Sequence, residues 1–199
     1  ARVSEHLIKS AQQAGLPVYQ GYGLSECGSV VTLNTPKHNV PGSMGQPLPH
    51  VQLTLEDGEL VVSGNTFLGY LGDKASWYQE SVATGDLVSM HDQQTCWFLG
   101  RRKNQLISSF GRNINPEWPE SEMLSDGLMQ QAILIGDERP HCAAILYPHR
   151  PVDDRALGEW LTQINQRLPD YAQVKQLLLI ANPMSSAEGL ITDNGRPNR

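Results

Sequence analysis

The sequence predicts an α+β fold, in which a β-rich unit precedes a smaller unit of mixed strands and helices. From residue 41 to residue 99, short apolar runs alternate with turn residues, a pattern typical of antiparallel hairpins. After Glu120, two apolar runs are followed by a segment with helical periodicity and then by a third apolar run. The stretch from Gly100 to Glu120 lies between these patterns, and its charges, glycine bend and helix start favour a boundary between two moving parts. The alternative is a surface strand, turn and helix without a special role.

The composition excludes several classes of protein. The chain has 199 residues, is 39% hydrophobic and 18% charged, and carries a net charge of −6, which is typical of a globular protein. An excess of acidic residues argues against nucleic-acid binding, and the basic cluster Arg101–Lys103 is typical of a solvated surface. The three cysteines form no CxxC motif, so we expect neither a disulfide framework nor a zinc site, and a reducing cytoplasm fits. No apolar run approaches the roughly 20 residues that span a bilayer, so we expect no transmembrane segment.

The first fifteen residues predict an amphipathic helix. Val3, Leu7, Ile8 and Ala11 share one face, and Gly15 is a typical helix stop. The segment does not read as a signal peptide, and the chain begins without Met. We therefore expect the sequence to be a piece of a longer protein, entered in the middle of a domain.

A candidate ligand site follows this helix. Leu16–Tyr19 predicts a short buried strand, and Gly21–Gly23 predicts a bend at which the backbone can approach a flat or charged group. Ser25 and Glu26 add a hydroxyl and a carboxylate, oxygen ligands of the kind that a magnesium–phosphate site uses. The alternative is an ordinary turn from a strand into a loop.

The β-rich unit is predicted to contain a hairpin. The turn formers of PGSMGQPLP, residues 41–49, indicate a loop. Apolar and polar residues then alternate over Val51–Leu55, and Asp57-Gly58 is a tight-turn dipeptide. Glu59–Ser63 is the return strand of this hairpin.

A second predicted hairpin brings two charged residues together. Thr84-Gly85-Asp86 predicts a turn that enters a strand over Leu87–Met90, and the chain then returns through Thr95–Leu99. Asp86 and Arg101 are therefore expected at the same end of the hairpin. A carboxylate accepts from hydroxyls and a guanidinium donates to oxygens, so this pair could bind a diol. The alternative is a structural salt bridge.

The second unit is predicted from its helices and apolar runs. Pro116–Leu124 predicts a helix with Asn115 as its N-cap, because proline suits a first helical turn. Asp153 or Asp154 is expected to cap a helix that runs to about Leu168. The predicted strands are Gln131–Ile135, Cys142–Tyr147 and Val174–Ile180.

Five segments stand in a fixed order along the chain: YGLSE (Tyr22–Glu26), GELVVSGNTFLGY (Gly58–Tyr70), TGD (Thr84–Asp86), GRRKNQLISSFGRNINPEWPE (Gly100–Glu120) and LITDNGRPNR (Leu190–Arg199). Together they resemble the C-terminal part of the adenylate-forming superfamily, which includes acyl-CoA synthetases, firefly luciferase and non-ribosomal adenylation domains. The resemblance covers nearly the whole chain, and SSFGRNINPEWPE is most similar to bacterial long-chain acyl-CoA synthetases.

The resemblance implies a role for each matching residue. Gly21, Tyr22 and Gly23 would line an adenine pocket, Ser25 would lie near the phosphates, and Glu26 would hold Mg²⁺. Asp86 and Arg101 would bind the ribose hydroxyls of ATP or AMP. Lys103 would be the hinge of the mobile C-terminal domain. Gly111 lies in the Phe110–Arg112 loop that would line the tunnel for the pantetheine of CoA.

The same resemblance implies two domains and a two-step reaction. Residues 1–102 would be the end of the large domain with its β-rich subdomain, and residues 103–199 the small α+β domain. The protein would be an AMP-forming acid–thiol ligase that adenylates a carboxylic acid, expected to be a long-chain fatty acid, and passes the acyl group to CoA. The resemblance also allows peripheral association with a membrane. The alternatives are an acyl-AMP ligase that loads a carrier protein, which the Gly111 loop disfavours, and a non-catalytic nucleotide-binding or interaction protein.

Two departures from the family pattern affect these expectations. The family's catalytic lysine falls at Arg196, and a planar guanidinium does not place its charge as an ammonium does. The glycine-rich loop that wraps the ATP phosphates would lie upstream of Ala1. We therefore expect the isolated chain to be a poor enzyme or none.

Overall fold

The computed structural model describes Val3, residues 5–92, 94–193 and 197–198, and within these the chain forms two compact units. The first unit is Leu7–Lys103, and the second unit comprises the described residues from Asn104 onward with the first residues of the chain. Together they give a mixed α+β fold, as the sequence predicts. The helices are α1 (Glu5–Gln13), α2 (Glu117–Met123) and α3 (Asp154–Asn165). The strands are β1 (Gly21–Tyr22), β2 (Thr32–Leu33), β3 (Gln46–Pro47), β4 (Gln52–Glu56), β5 (Glu59–Ser63), β6 (Ser81–His91), β7 (Thr95–Arg101), β8 (Leu106–Ile107), β9 (Asn113–Ile114), β10 (Met129–Ile135), β11 (Cys142–Pro148) and β12 (Val174–Leu179).

The first unit is built on an antiparallel sheet with strand order β4-β5-β6-β7. The predicted β4–β5 hairpin is confirmed, and its turn residues Asp57 and Gly58 have φ of 49° and 79°, the left-handed backbone of a tight two-residue hairpin turn. Strand β5 packs its apolar residues into the core, which also includes Val31 and Met44. This sheet is the platform on which the candidate site lies.

The predicted turn at Thr84-Gly85-Asp86 is wrong, because these residues lie inside the continuous strand β6. Glu59 pairs with Leu87 and Val61 pairs with Ala83, so three residues of β6 lie opposite the single residue Leu60. The extra residues form a β-bulge with Gly85 at φ 72°, a backbone conformation that glycine adopts without steric cost. A bulge and a turn need the same residue types, which is why the sequence pattern did not separate them.

Two further predictions in the first unit need correction. Leu16–Tyr19 is not a strand: Leu16 is 60% exposed, and the nearest strand is the short β1, which pairs with β2. The predicted loop over residues 41–49 contains the short strand β3, which pairs with the other edge of β2. Such two-residue strands carry no periodicity, so only the tertiary pairing reveals them.

The predicted helix α1 is present, but its buried face is not the one that the sequence predicts. Ile8 is buried, whereas Leu7, expected beside it, is 52% exposed. Gly15 has φ 75°, as expected of a residue that ends a helix. Among the described residues, no helix is both long and apolar enough to cross a bilayer.

The second unit packs α2 and α3 with a three-stranded sheet of order β10-β11-β12. Strand β11 is antiparallel to β10 and parallel to β12, and the chain crosses from β11 to β12 through α3. The predicted helices and strands are confirmed, although α3 ends at Asn165 and not near Leu168. Leu168 is still buried in the core, with Trp160 and Ile164 from the helix itself.

The N-caps of the two helices are settled by hydrogen bonds. The Asp153 carboxylate accepts from the Ala156 backbone N–H at 2.8 Å, so Asp153 and not Asp154 caps α3. At α2, the residue at the cap position is Pro116, and the Asn115 side chain still accepts from the Glu117 N–H at 3.2 Å. Each contact satisfies a helix N–H that has no partner within the helix.

Substitution of Asp153 by alanine should lower the free energy of unfolding of the second unit by about 1 kcal/mol, because an N-cap hydrogen bond is lost. Urea denaturation followed by circular dichroism measures this change. Asp154→Ala is the matched control and should cost clearly less, since Asp154 is the first residue within the helix. Equal losses in the two variants would contradict the cap assignment.

Candidate functional site

The candidate site centres on Asp86 and Arg101, which are direct cross-strand partners on β6 and β7. Arg101 Nε donates to Asp86 Oδ1 at 2.8 Å, and the Tyr22 hydroxyl donates to Asp86 Oδ2 at 2.8 Å. The predicted convergence of Asp86 and Arg101 is confirmed, and the salt bridge is present. Each carboxylate oxygen can accept more than one hydrogen bond, so the bridge does not preclude a ligand.

The exposure of the pair limits how a ligand could reach it. Asp86 is 3% exposed, whereas the Arg101 side chain is 36% exposed. A cleft beside the pair is lined by Arg101, by the bulge residues Thr84 and Gly85, and by Glu59, Ala83, Arg102 and Lys103. A ligand in this cleft would meet Arg101 directly. It would reach Asp86 only where the Tyr22 hydrogen bond opens or a remaining acceptor position faces it.

The Tyr22 hydroxyl is a stable hydrogen-bond donor at this site. Burial is the main cause that raises the pKa of Tyr22 above its usual value, and the adjacent Asp86 carboxylate raises it further. The phenol therefore stays protonated at physiological pH. Its ring lies partly buried against the core of the first unit.

The bulge that carries Asp86 is held by three side-chain contacts. The Thr84 hydroxyl donates to the Leu60 carbonyl at 2.8 Å and accepts from the Asp86 backbone N–H at 3.1 Å. The Gly85 N–H donates to Glu59 Oε1 at 2.8 Å. Glu59 was missed by sequence reasoning, because its contact with the bulge depends on the register of β5 against β6.

Glu26 lies in the short turn Ser25–Cys27, with its carboxylate held by a phenol. The Tyr70 hydroxyl donates to Glu26 Oε1 at 2.6 Å, and this bond is the main cause that lowers the pKa of Glu26. The positive charge of Arg101 lowers it further, which places Glu26 within electrostatic reach of the Asp86–Arg101 pair. Ser25 is exposed beside it.

The donor set around Glu26 is compatible with magnesium only in combination with a substrate. Within the described residues, no group of three or more His, Cys, Asp or Glu side chains could hold a metal ion. Mg²⁺ is commonly bound by one or two carboxylates together with substrate phosphates and water. A single carboxylate such as that of Glu26 fits this mode only if a substrate supplies further oxygen ligands.

Tyr70 was also missed as a site residue. The segment that carries it is tied to the Glu26 turn, because the Phe67 N–H donates to the Glu26 carbonyl at 2.8 Å and Asn65 Nδ2 donates to the Cys27 carbonyl at 3.2 Å. The Phe67 and Tyr70 rings stack edge to face at 4.8 Å. The segment therefore sets the position of the phenol.

Gly21 and Gly23 have a structural explanation that the sequence did not give. A Cβ at Gly21 would lie 2.8 Å from the Thr32 carbonyl across β1 and β2, and a Cβ at Gly23 would overlap the Ser29 carbonyl. Both glycines therefore allow close approach of the protein's own backbone. The predicted bend is also wrong at Gly21 and Tyr22, which form β1.

Of the remaining predicted residues, Lys103 lines the cleft beside Arg101, whereas Gly111 lies in the second unit. Lys103 lies in a short exposed turn, Arg102–Asn104, at the end of the first unit. Gly111 lies in an open bend of the second unit with φ 72°, beside Phe110, which is 75% exposed. Arg196 lies outside the described residues.

Comparison with protein families gives two matches along the chain. Residues 1–71 match the model described as AMP-binding enzyme, and residues 103–199 match the model described as AMP-binding enzyme C-terminal domain. The two models together cover most of the sequence in the order that the motifs predict.

Curated relatives include two kinds of CoA ligase. A long-chain-fatty-acid–CoA ligase of Mycobacterium bovis is 30% identical over 157 residues, which are 74% of this chain and 25% of that protein. A 2-succinylbenzoate–CoA ligase of Bacillus subtilis is 31% identical over 189 residues, which are 83% of this chain and 37% of that protein. The chain thus spans about a quarter to two fifths of the length of these relatives.

Solved structures give the same fold. O-succinylbenzoate CoA synthetase from Bacillus subtilis, in complex with its acyl-adenylate intermediate, has a TM-score of 0.77 and 26% identity over 94% of this chain and 42% of that chain. The same enzyme in complex with ATP and magnesium ion has a TM-score of 0.73 and 27% identity over 90% of this chain and 41% of that chain.

Substitution of Tyr70 by phenylalanine should raise the pKa of Glu26 toward its ordinary value, because the phenol hydrogen bond is the main cause of its depression. Carbon-13 NMR titration of the glutamate carboxyl groups measures the shift. Tyr78→Phe is the matched control, because Tyr78 is 75% exposed and should leave Glu26 unchanged. A Glu26 titration that is the same in all three proteins would contradict the assigned contact.

Proposed function

Since this chain belongs to the AMP-binding, adenylate-forming enzyme family, we propose that it functions as part of an AMP-forming acid–thiol ligase. In the first step a carboxylate oxygen attacks the α-phosphorus of ATP, which forms an acyl-adenylate and releases pyrophosphate. In the second step the thiol of CoA attacks the acyl carbon, which forms a thioester and releases AMP. The relatives named above are CoA ligases, which supports this assignment.

The observation that carries the proposal is the Asp86–Arg101 pair with the Tyr22 hydroxyl on the same carboxylate. A charged acceptor and a charged donor side by side can hold the two hydroxyls of a ribose, with charge-assisted hydrogen bonds. The Tyr22 ring would lie against the adenine, with the Gly21 and Gly23 backbone at its edges.

The positive charge at the reacting phosphate would come from Mg²⁺ held by the neighbouring turn. Ser25 would donate its hydroxyl to a phosphate oxygen, and Glu26 would bind Mg²⁺. The metal ion, when bound, would offset the negative charge that builds up as one anion attacks another. The Tyr70 phenol keeps Glu26 ionised and oriented for that role.

The two steps place different demands on the second unit. Residues 103–199 would form a mobile domain that turns about Lys103, after residues 1–102 have bound the nucleotide. Arg196 would supply positive charge in the first step. For the second step the Phe110–Arg112 loop, with Gly111 in a left-handed conformation, would line the path of the pantetheine thiol. Domain closure of this kind is an established way to separate two reactions in one site.

The acid is proposed to be a long-chain fatty acid, and 2-succinylbenzoate is the second candidate. Both names occur among relatives of similar identity, so the similarity supports both acids. A carrier-protein thiol in place of CoA, and a non-catalytic nucleotide-binding protein, are the remaining alternatives. A cytoplasmic location is supported by the three cysteines, which are all free.

Carboxylate-dependent ATP–pyrophosphate exchange in the complete native protein tests this function. Exchange with one class of acid, fatty or aryl, would identify the substrate, and thioester formation on addition of CoA would separate a CoA ligase from a carrier-loading ligase. Arg196→Ala should abolish exchange, and Arg196→Lys should retain it. Absence of exchange with every acid, in a folded protein that binds ATP, would support the non-catalytic alternative.

Substitution of Asp86 by alanine should raise the KM for ATP by about ten- to a hundredfold, because hydrogen bonds to a charged group are lost. The KM for the acid is the internal control and should change little, and the thermal midpoint should confirm that the variant is folded. An ATP KM equal to that of the wild type would refute the ribose role.

Substitution of Lys103 by proline should slow thioester formation more than adenylation, because proline fixes φ near −65° at the proposed hinge. Single-turnover rates of each step measure the two effects separately. Lys103→Ala, which keeps the backbone free, is the control and should change both rates little. Equal losses in both steps for Lys103→Pro would argue against a hinge at this position.

A further inference from the structure

Glu59 is a partly buried acidic residue within the Gly58–Tyr70 motif, and the proposed reaction gives it no role. It begins strand β5, and its side chain is 17% exposed. Its two carboxylate oxygens contact two different segments. Oε1 accepts from the Gly85 N–H at 2.8 Å, and Oε2 lies 3.3 Å from Arg102 Nε.

The first contact supports the conformation of the bulge. Three residues of β6 lie opposite Leu60, so the sheet ladder cannot pair all of their backbone groups. A backbone N–H away from water without a partner is costly, and the Glu59 carboxylate gives Gly85 that partner. The next residue is Asp86, so the contact fixes the backbone from which the Asp86 carboxylate extends.

The second contact is made to the residue that directly follows strand β7. Arg102 follows Arg101 directly, and it also donates to the Asp57 carbonyl at 3.3 Å. Glu59 thus binds the residue before Asp86 with one oxygen and the residue after Arg101 with the other. The Asp86–Arg101 pair lies between these two contacts on adjacent strands.

We propose that Glu59 is a positioning residue that sets the geometry of the Asp86–Arg101 pair for a ribose diol. This inference rests on the proposed nucleotide-binding function. Glu59 lines the cleft beside the pair, but this role does not require it to contact the nucleotide or the acid. It acts through the bulge, where its hydrogen bond from the Gly85 N–H fixes the backbone that presents Asp86.

The alternative is that Glu59 only offsets the charge of Arg102. The two roles predict different results when the carboxylate is replaced by glutamine or by methionine. Glutamine keeps an oxygen that can accept from Gly85 but loses the charge, whereas methionine has a similar length and lacks both. A positioning role through the bulge predicts that Glu59→Gln retains function and Glu59→Met loses it, but a purely ionic role predicts that both lose it.

The test is the preference of the complete native protein for AMP over 2′,3′-dideoxy-AMP, measured as a ratio of Kd values by calorimetry. Glu59→Met should reduce this ratio by about fivefold, and mainly by weakening AMP binding, because only AMP offers the diol. Glu59→Gln should keep the ratio within about twofold of the wild type. Glu56→Met is the matched control, because Glu56 is the exposed cross-strand partner of Glu59 in the same hairpin.

Each outcome bears on a different claim. A wild type that binds both nucleotides equally would overturn the proposed ribose site, and this inference with it. A wild type that prefers AMP, together with an unchanged preference in folded Glu59→Met, would overturn the positioning role alone. Equal losses in Glu59→Met and Glu59→Gln would also overturn it in favour of the ionic role. If Glu59→Met does not fold, Glu59→Asp replaces it, because it withdraws the acceptor by one methylene, and an unchanged preference in that variant would again overturn the proposal.

Discussion

The cross-strand pairing of Asp86 with Arg101 is the interaction on which the candidate site depends. A carboxylate that is 3% exposed is stable as an anion only if its oxygens are paired, and here Arg101 and the Tyr22 hydroxyl pair them. The bulge in β6 makes this geometry available, since it turns Asp86 toward its partner within a continuous strand. The apolar face of β5 beneath the bulge anchors it in the core of the first unit.

The second feature of the site is the support given to the Glu26 turn. A partly exposed glutamate would sample many rotamers, and the phenol of Tyr70 limits that freedom. The segment from Asn65 to Tyr70 is also held to the turn by a backbone hydrogen bond from Phe67 and a side-chain hydrogen bond from Asn65. Arg101 forms a salt bridge with Asp86, and its charge also contributes, as a minor cause, to the lowered pKa of Glu26.

The division into two units is compatible with the proposed movement of a C-terminal domain about Lys103. The first unit ends at Lys103, immediately after the strand that carries Arg101. The second unit has its own core, with α3 packed on a three-stranded sheet, so it can keep its shape during a change of position. The exposed Phe110–Gly111 bend belongs to this second unit.

The sequence by itself determined the elements whose periodicity spans a full helix or strand, and the residues of the pair. The β4–β5 hairpin, α3 and the three strands of the second sheet were predicted from apolar patterns over five or more residues. Helix α2 was predicted from its start signals, Asn115 and Pro116. Asp86 and Arg101 were predicted together, because a hairpin fixes the register of its two ends. The family resemblance supplied the nucleotide role, which no local pattern contains.

Only the tertiary structure decided the short elements and the supporting contacts. Strands β1 to β3 have two residues each, and their existence depends on partners distant in sequence. The bulge at Thr84–Asp86 carries the same residue types as a turn, and the register of β5 alone distinguishes them. Glu59 and Tyr70 became visible as site residues for the same reason: each acts through a hydrogen bond to a segment far along the chain, and such pairing is a property of packing and not of local sequence.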